Sequence, residues 1–260
     1  MIRRSLMLVV VALLALSSTS QASSPSLGSI TPRGVQRGAK HVLSFNGGRL
    51  ADAKEIFFYD AKGFKVTKLV PSNGNVKVHL TVSADCRLGE HVAQVRTASG
   101  ISEYRTFWVG PYKAFPEKEP NSDFAKPQPI KMNTTITGVV TGEDVDHYVV
   151  EVKKGQRISA EIEGMRLANT IFDPYVAILD AKRFELASAD DSPLVRQDAV
   201  CSVVAPKTGK YIIQVRESAY GGNGSCRYRL HVGSFPRPTA VYPAGGKAGS
   251  KDAGGGKAGG

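Results

Sequence analysis

The sequence predicts an all-β protein: two tandem β-sandwiches, an immunoglobulin-like one and then a jelly-roll-like one, with a cleaved signal peptide before them and a flexible Gly-rich tail after them. Three observations carry this reading. Apolar residues alternate with polar ones at period two, most clearly in Val76-Lys77-Val78-His79-Leu80-Thr81-Val82, where Val76, Val78, Leu80 and Val82 share one face. Turn signals such as Asn46-Gly47-Gly48, Asn73-Gly74-Asn75 and Pro206-Lys207-Thr208-Gly209 punctuate the chain. A proline-bearing stretch from Pro111 to Asn121 divides two such blocks.

In the first block, strands are expected near Ser29–Thr31 and at Lys40–Asn46, Lys54–Asp60, Phe64–Val70, Val76–Val82, His91–Thr97 and Tyr104–Val109. Seven short strands fit an immunoglobulin-like sandwich, although the Cys…Trp…Cys signature of antibody domains is missing. In the second block, the expected strands are Thr134–Val140, Asp146–Val152, Arg157–Ile162, Tyr175–Asp180, Glu185–Ala189, Ala199–Ala205, Tyr211–Arg216 and Cys226–Val232. Eight strands suggest a jelly roll. The expected organisation is signal peptide 1–22, first sandwich 23–111, linker 112–118, second sandwich 119–236 and tail 237–260.

The chain ends carry their own signals. Arg3 and Arg4 precede an apolar run, Leu6 to Leu16, too short to span roughly 30 Å of hydrocarbon as a helix. Ser20-Gln21-Ala22 is a signal-peptidase site, so export to the periplasm, cell surface or exterior is expected, with no transmembrane segment after cleavage. The run from Gly245 to Gly260 has nothing to bury and reads as a flexible coil, either a terminal tether or a linker to further domains.

Composition narrows the function classes. Hydrophobic residues make up 42% and charged residues 22%, which excludes wholesale disorder, and 3 Cys exclude a disulfide-dense scaffold. The net charge of +11 suits anionic polymers, but the basic residues are scattered, so a solvated surface and no specific nucleic-acid partner are expected. There is no G-x-S-x-G elbow, no phosphate loop and no zinc spacing among His41, His79, His91, His147 and His231, which read as ordinary surface or boundary residues. Trp108 is expected to pack at a domain junction rather than to serve as a carbohydrate platform, and Tyr220 to pack on the rim of the sandwich. No catalytic residue is assigned, and the chain is read as a non-enzyme.

The second block resembles the bacterial pre-peptidase C-terminal domain, the module appended to secreted peptidases and collagenases. The resemblance lies in Glu117-Lys118-Glu119-Pro120-Asn121-Ser122-Asp123, in Gly142-Glu143-Asp144-Val145-Asp146-His147-Tyr148, in Lys154-Gly155-Gln156-Arg157-Ile158, in Asp173-Pro174-Tyr175-Val176-Ala177-Ile178-Leu179-Asp180, and in the hairpin from Ala205-Pro206 through Gly209-Lys210-Tyr211 to Val215-Arg216. Ser122 stands where the family usually has Asp, and Asp123 lies one place later. The first block, with Ile30-Thr31-Pro32, Gly34 and Gly38, resembles a TIG/IPT-type immunoglobulin fold. The resemblance implies non-catalytic roles such as adhesion, targeting of a linked enzyme, or polysaccharide and protein binding.

Calcium is the cofactor this reading favours. Ca²⁺ takes 6–8 oxygen ligands at about 2.3–2.6 Å, and Glu117, Glu119, Asn121 and Asp123 supply side-chain oxygens on one extended segment. Asp144 and Asp146 begin a strand and share a face. If the segment folds back on that strand, the two sets converge, as the calcium site of the collagenase relatives implies. The alternative is a solvated acidic linker with turn-capping aspartates. Asp190, Asp191 and Asp198 read as loop residues. Cys201 and Cys226 both fall on inward strand parity, and export permits a disulfide between them; two buried free thiols are the alternative, and Cys86 is left over.

The expected function is an exported, non-catalytic binding or spacer protein that engages an extracellular protein or polysaccharide. The other reading is the accessory region of a secreted peptidase or other hydrolase whose catalytic part lies outside this chain.

Overall fold

The structure is a computed structural model in which residues 24–237, 240 and 245 are described. The expected signal peptide and nearly all of the expected tail lie outside the described residues. No helix of the described residues is long and apolar enough to cross a membrane.

The described chain is nearly all β. Its strands are β1 (Ser26–Thr31), β2 (Gly34–Gln36), β3 (Lys40–Gly48), β4 (Glu55–Phe58), β5 (Phe64–Pro71), β6 (Asn75–Val82), β7 (Gly89–Arg96), β8 (Arg105–Gly110) and β9 (Ala114–Pro116). They continue with β10 (Gln128–Pro129), β11 (Thr134–Val139), β12 (Val145–Val152), β13 (Arg157–Glu163), β14 (Pro174–Asp180), β15 (Glu185–Ala189), β16 (Val200–Val204), β17 (Gly209–Glu217) and β18 (Arg227–Gly233). Period-two alternation located most of them. Three short strands escaped it: β2, β9 and β10. The last two contain Pro116 and Pro129, and both strands lie at sheet edges, where a missing N–H is tolerated. The segment expected to be a linker, 112–118, therefore contains a strand of the second sandwich.

Two compact units divide the chain. The first takes the residues through Pro32, Lys40–Thr81 and His91–Arg105; the second takes Arg33–Ala39, Val82–Glu90 and everything from Thr106 onward. The first unit contains a four-stranded antiparallel sheet of order β1-β3-β6-β5. Leu43, Phe45, Val76, Val78 and Leu80 face inward from it and are almost fully buried.

The second unit is a sandwich of two five-stranded sheets, of order β10-β12-β17-β14-β15 and β16-β13-β18-β11-β9. Tyr148, Val150 and Val152 of β12 and Ile213 and Val215 of β17 meet Ile158, Ala160 and Ile162 of β13 and Leu230 and Val232 of β18 in one buried cluster. Every one of these positions has inward parity, so the strand pattern itself builds the core.

The expected Cys201–Cys226 disulfide does not form: Cys86, Cys201 and Cys226 are all free and buried. Both Cys201 and Cys226 do point into the core, as their parity implies, but β13 separates their strands. Cys201 lies opposite Ala160, which lies opposite Val232, six residues along from Cys226. At about 3.4 Å per residue and about 4.8 Å per strand, the two thiols are far outside disulfide reach. Burial pushes the Cys201 thiol up to about 12.

Candidate metal centre

At one end of the second sandwich, the inner face of β12 changes from apolar to acidic. Asp146 continues the inward row of Tyr148, Val150 and Val152 and is fully buried. The segment after β9 runs back along β12. The Glu117 N–H donates to the Thr137 carbonyl, and the His147 N–H donates to the Asn121 carbonyl at 3.1 Å. These backbone bonds bring carboxylate oxygens of Glu117, Glu119 and Asp146 within 4.8 Å of one another.

The surroundings fix these groups. The Val139 N–H donates to Glu117 Oε1 at 2.9 Å, and the Asn121 N–H donates to Glu119 Oε2 at 3.0 Å. The Tyr228 hydroxyl from β18 lies 2.5 Å from Asp146 Oδ2 and 3.2 Å from Glu117 Oε2, and it also meets the hydroxyl of Tyr148. Gly138 of β11 leaves room for this approach, since a Cβ there would stand 2.3 Å from both Glu117 Oε2 and the Tyr228 ring.

The cluster lacks compensating charge. Burial pushes the Asp146 carboxyl up to about 8, and the neighbouring carboxylates add to this against the Tyr228 hydrogen bond. Burial likewise pushes Glu117 up to about 7. Asp146 Oδ1 and both polar atoms of the buried Asn121 side chain have no hydrogen-bond partner. Buried acceptors in native proteins are ordinarily satisfied, so the orphaned Asp146 Oδ1, within a set of three converging carboxylates, fits a hard oxygen-seeking cation.

Of the six residues expected to bind metal, Glu117, Glu119 and Asp146 converge, and Asn121 is buried beside them in sequence. Asp123 and Asp144 do not join the cluster. Asp123 Oδ1 accepts the N–H of Ala125 at 2.9 Å, a local turn. Asp144 Oδ1 accepts the Ser122 hydroxyl at 3.0 Å, and Asp144 Oδ2 faces Thr141. The one-place displacement of Asp123 and the presence of Ser122 account for both outcomes. Tyr148 and Tyr228 escaped the sequence reading; their signal was a polar-tipped ring at inward parity on each of two strands.

A second ionic cluster was also missed. On the other face of β13 and β18, Glu163 accepts from Arg229 at 2.5 Å and lies 3.2 Å from His231 Nε2. Arg166 pairs with Glu161 at 2.9 Å and with Asp198, which also accepts the N–H groups of Gly164 and Met165. Asp198, read from sequence as a loop residue, is fully buried, and His91, His147 and His231 are buried rather than at the surface. Trp108 is buried beneath the Arg166 guanidinium, 5.4 Å from its ring, so it offers no carbohydrate platform. Arg216 lies between the rings of Tyr175 and Tyr220, at 3.9 and 4.4 Å, so Tyr220 does pack on the sandwich.

The fold and site define a β-sandwich module with an acidic end. Residues 144–217 match the sequence model of the bacterial pre-peptidase C-terminal domain. Solved structures give further similarities. The pre-peptidase C-terminal domain of a Bacillus anthracis collagenase is 21% identical, with 45% of this chain and 99% of that one covered, at a TM-score of 0.33. Aeromonas hydrophila PliG, a periplasmic inhibitor of g-type lysozyme, is 18% identical over 41% of this chain and 95% of that one, at 0.31. The SGBP-B protein of a Bacteroides ovatus mixed-linkage glucan utilization locus, in complex with a mixed-linkage heptasaccharide, is 8% identical over 80% and 74%, at 0.29. No curated protein matches the sequence.

Proposed function

We propose that the protein is an exported, non-catalytic binding protein whose second unit is a pre-peptidase-type sandwich rigidified by calcium. The observation that carries this is the convergence of the Glu117, Glu119 and Asp146 carboxylates, with Asp146 Oδ1 buried and without a hydrogen-bond partner. These three carboxylates would hold the ion, with the Asn121 side chain as a further oxygen donor. A bound Ca²⁺ supplies the positive charge that the cluster lacks, and it ties the segment after β9 to β12. The chain's own residues do the positioning: Val139 and Asn121 orient the glutamates through backbone N–H groups, and Tyr228 orients Asp146. A rigid sandwich then presents its surface to an extracellular protein or polysaccharide.

The test is a thermal melt of the protein in millimolar calcium and then in chelator. Calcium at a hundred times its dissociation constant is expected to add about 2.7 kcal/mol. Asp146→Ala and Glu119→Ala are expected to remove that gain. Equal melts in calcium and chelator overturn the reading.

A further inference from the structure

The second unit carries a long open groove that plays no part in the cation site. Three hollows run into one another along the β10 and β12 side of the sandwich. The first, about 460 Å³, lies beside β9 and β10; the next, about 480 Å³, shares Pro129, Ile130 and Lys131 with it. The third, about 570 Å³, shares Glu151, Gln156 and Lys210 with the second. Each is within the size range of ligand sites, and their continuity suits a linear chain rather than a compact molecule.

The lining has a consistent chemistry. Lys118, Lys131, Lys210 and Lys153 follow one another along the three hollows. Among the described residues lining them Glu151 is the one acid, and it faces Lys210 at 3.8 Å. The groove is therefore positive along its length. Its first hollow has an apolar floor that includes Ile136, and it exposes the Phe115 ring at 43%. Gln128, Gln156 and Thr208 supply hydrogen-bonding groups.

We infer that this groove binds a carboxylate-bearing linear polysaccharide, a polyuronate; the inference deepens the binding role proposed above and names its ligand class. The charge calls for a polyanion. Pro116 of β9 and Pro129 of β10 stand in the walls without N–H groups, so an extended peptide cannot add itself as a new strand there. Single-stranded nucleic acid is held by a succession of stacked aromatics, and among the described residues Phe115 is the only aromatic side chain lining the groove. A uronate chain needs what is present: spaced ammonium groups, amide and hydroxyl partners, and one ring with an apolar floor for a pyranose face.

The test is affinity electrophoresis of the full chain through gels containing polygalacturonate, a neutral glucan, polyglutamate or a single-stranded oligonucleotide. Polygalacturonate is expected to retard the protein, and the other three are not. Lys131→Glu and Phe115→Ala are each expected to weaken retardation at least about tenfold, which is about 1.4 kcal/mol. Lys182→Glu, an equal charge change at an exposed residue outside the groove, is expected to leave it intact. Retardation lost equally in Lys182→Glu, or produced equally by polyglutamate, the oligonucleotide or the glucan, overturns the inference, as does no retardation by polygalacturonate. The calcium melt is read separately on the same variants. A failed groove with an intact calcium shift removes this inference alone, and a lost calcium shift in the unaltered protein removes the reading beneath it.

Discussion

Two ionic clusters lie in the same sandwich, and they are built on opposite plans. Around Glu163 every acid has a base: Arg229, His231 and Arg166 surround Glu163, Glu161 and Asp198. Burial alone would raise Glu163, yet Arg229 and His231 hold it down to about 2. Around Asp146 there are three acids, and the polar partners are tyrosines and backbone N–H groups. There burial wins, and Asp146 and Glu117 rise to about 8 and 7. Placing a carboxylate in the sandwich thus has two outcomes, with Glu163 fully paired and Asp146 buried beside the half-buried Glu117 and the exposed Glu119. A cluster in which every acid meets a base reads as structure, even though burial still raises Asp198 and Arg229 Nε has no partner; three acids without a base fit the cation proposed above.

The contrast can be broken from either side. The largest effect is expected from Arg229→Met, which leaves Glu163 buried without its guanidinium partner. Removing one partner of a buried pair costs about 3–5 kcal/mol, read by urea unfolding, and calcium will not restore it. A loss under about 1 kcal/mol would mean that the pair is solvated. Asp146→Asn acts in the opposite direction. In chelator near pH 8 it is expected to stabilise the fold by about 1–2 kcal/mol, because a buried charge without a partner is gone, while the calcium shift disappears. Destabilisation in chelator would show that the Asp146 carboxylate is satisfied within the protein. The smallest expected effect is none: reductant should leave the melt unchanged, and three thiols should titrate in denaturant, because Cys201 and Cys226 are separated by β13.

Much of this was legible in the sequence, and the gaps share a cause. Alternation in Val76–Val82 and its counterparts placed the strands, and parity placed Val76, Val78, Leu80 and both Cys201 and Cys226 in the core. Glu117, Glu119 and Asp146 were found because their spacing resembles a known pattern, and Ser122 marked where that pattern departs. Parity assigns a side chain to a face, but it does not say what covers that face. Glu161, Glu163, Arg229 and His231 sit at outward parity on β13 and β18 and are nevertheless buried. Gly34 and Gly110 of the β2–β8 pair lie against them, so closely that a Cβ at Gly34 would stand 2.2 Å from the Arg229 guanidinium. That covering is a long-range fact. Prolines hid β9 and β10 in the same way, since an edge strand needs fewer hydrogen bonds than the alternation rule assumes.

The most direct test of the contrast is the pH dependence of unfolding free energy, with and without calcium, between about pH 5 and 9. Without a cation, the raised carboxyls of Asp146 and Glu117 favour the fold while protonated, so their contribution is whole at low pH and is lost as pH rises through about 7 and 8. Glu163 adds no slope in this window, because its contribution is present above its ordinary value and is lost only as pH falls toward about 2. The part of the pH dependence due to Asp146 and Glu117 should therefore lower stability in chelator across the window and vanish in calcium, so that the gap between the two curves widens with pH. Curves that coincide at every pH, or a calcium gap that does not grow as the carboxyls ionise, would contradict the account.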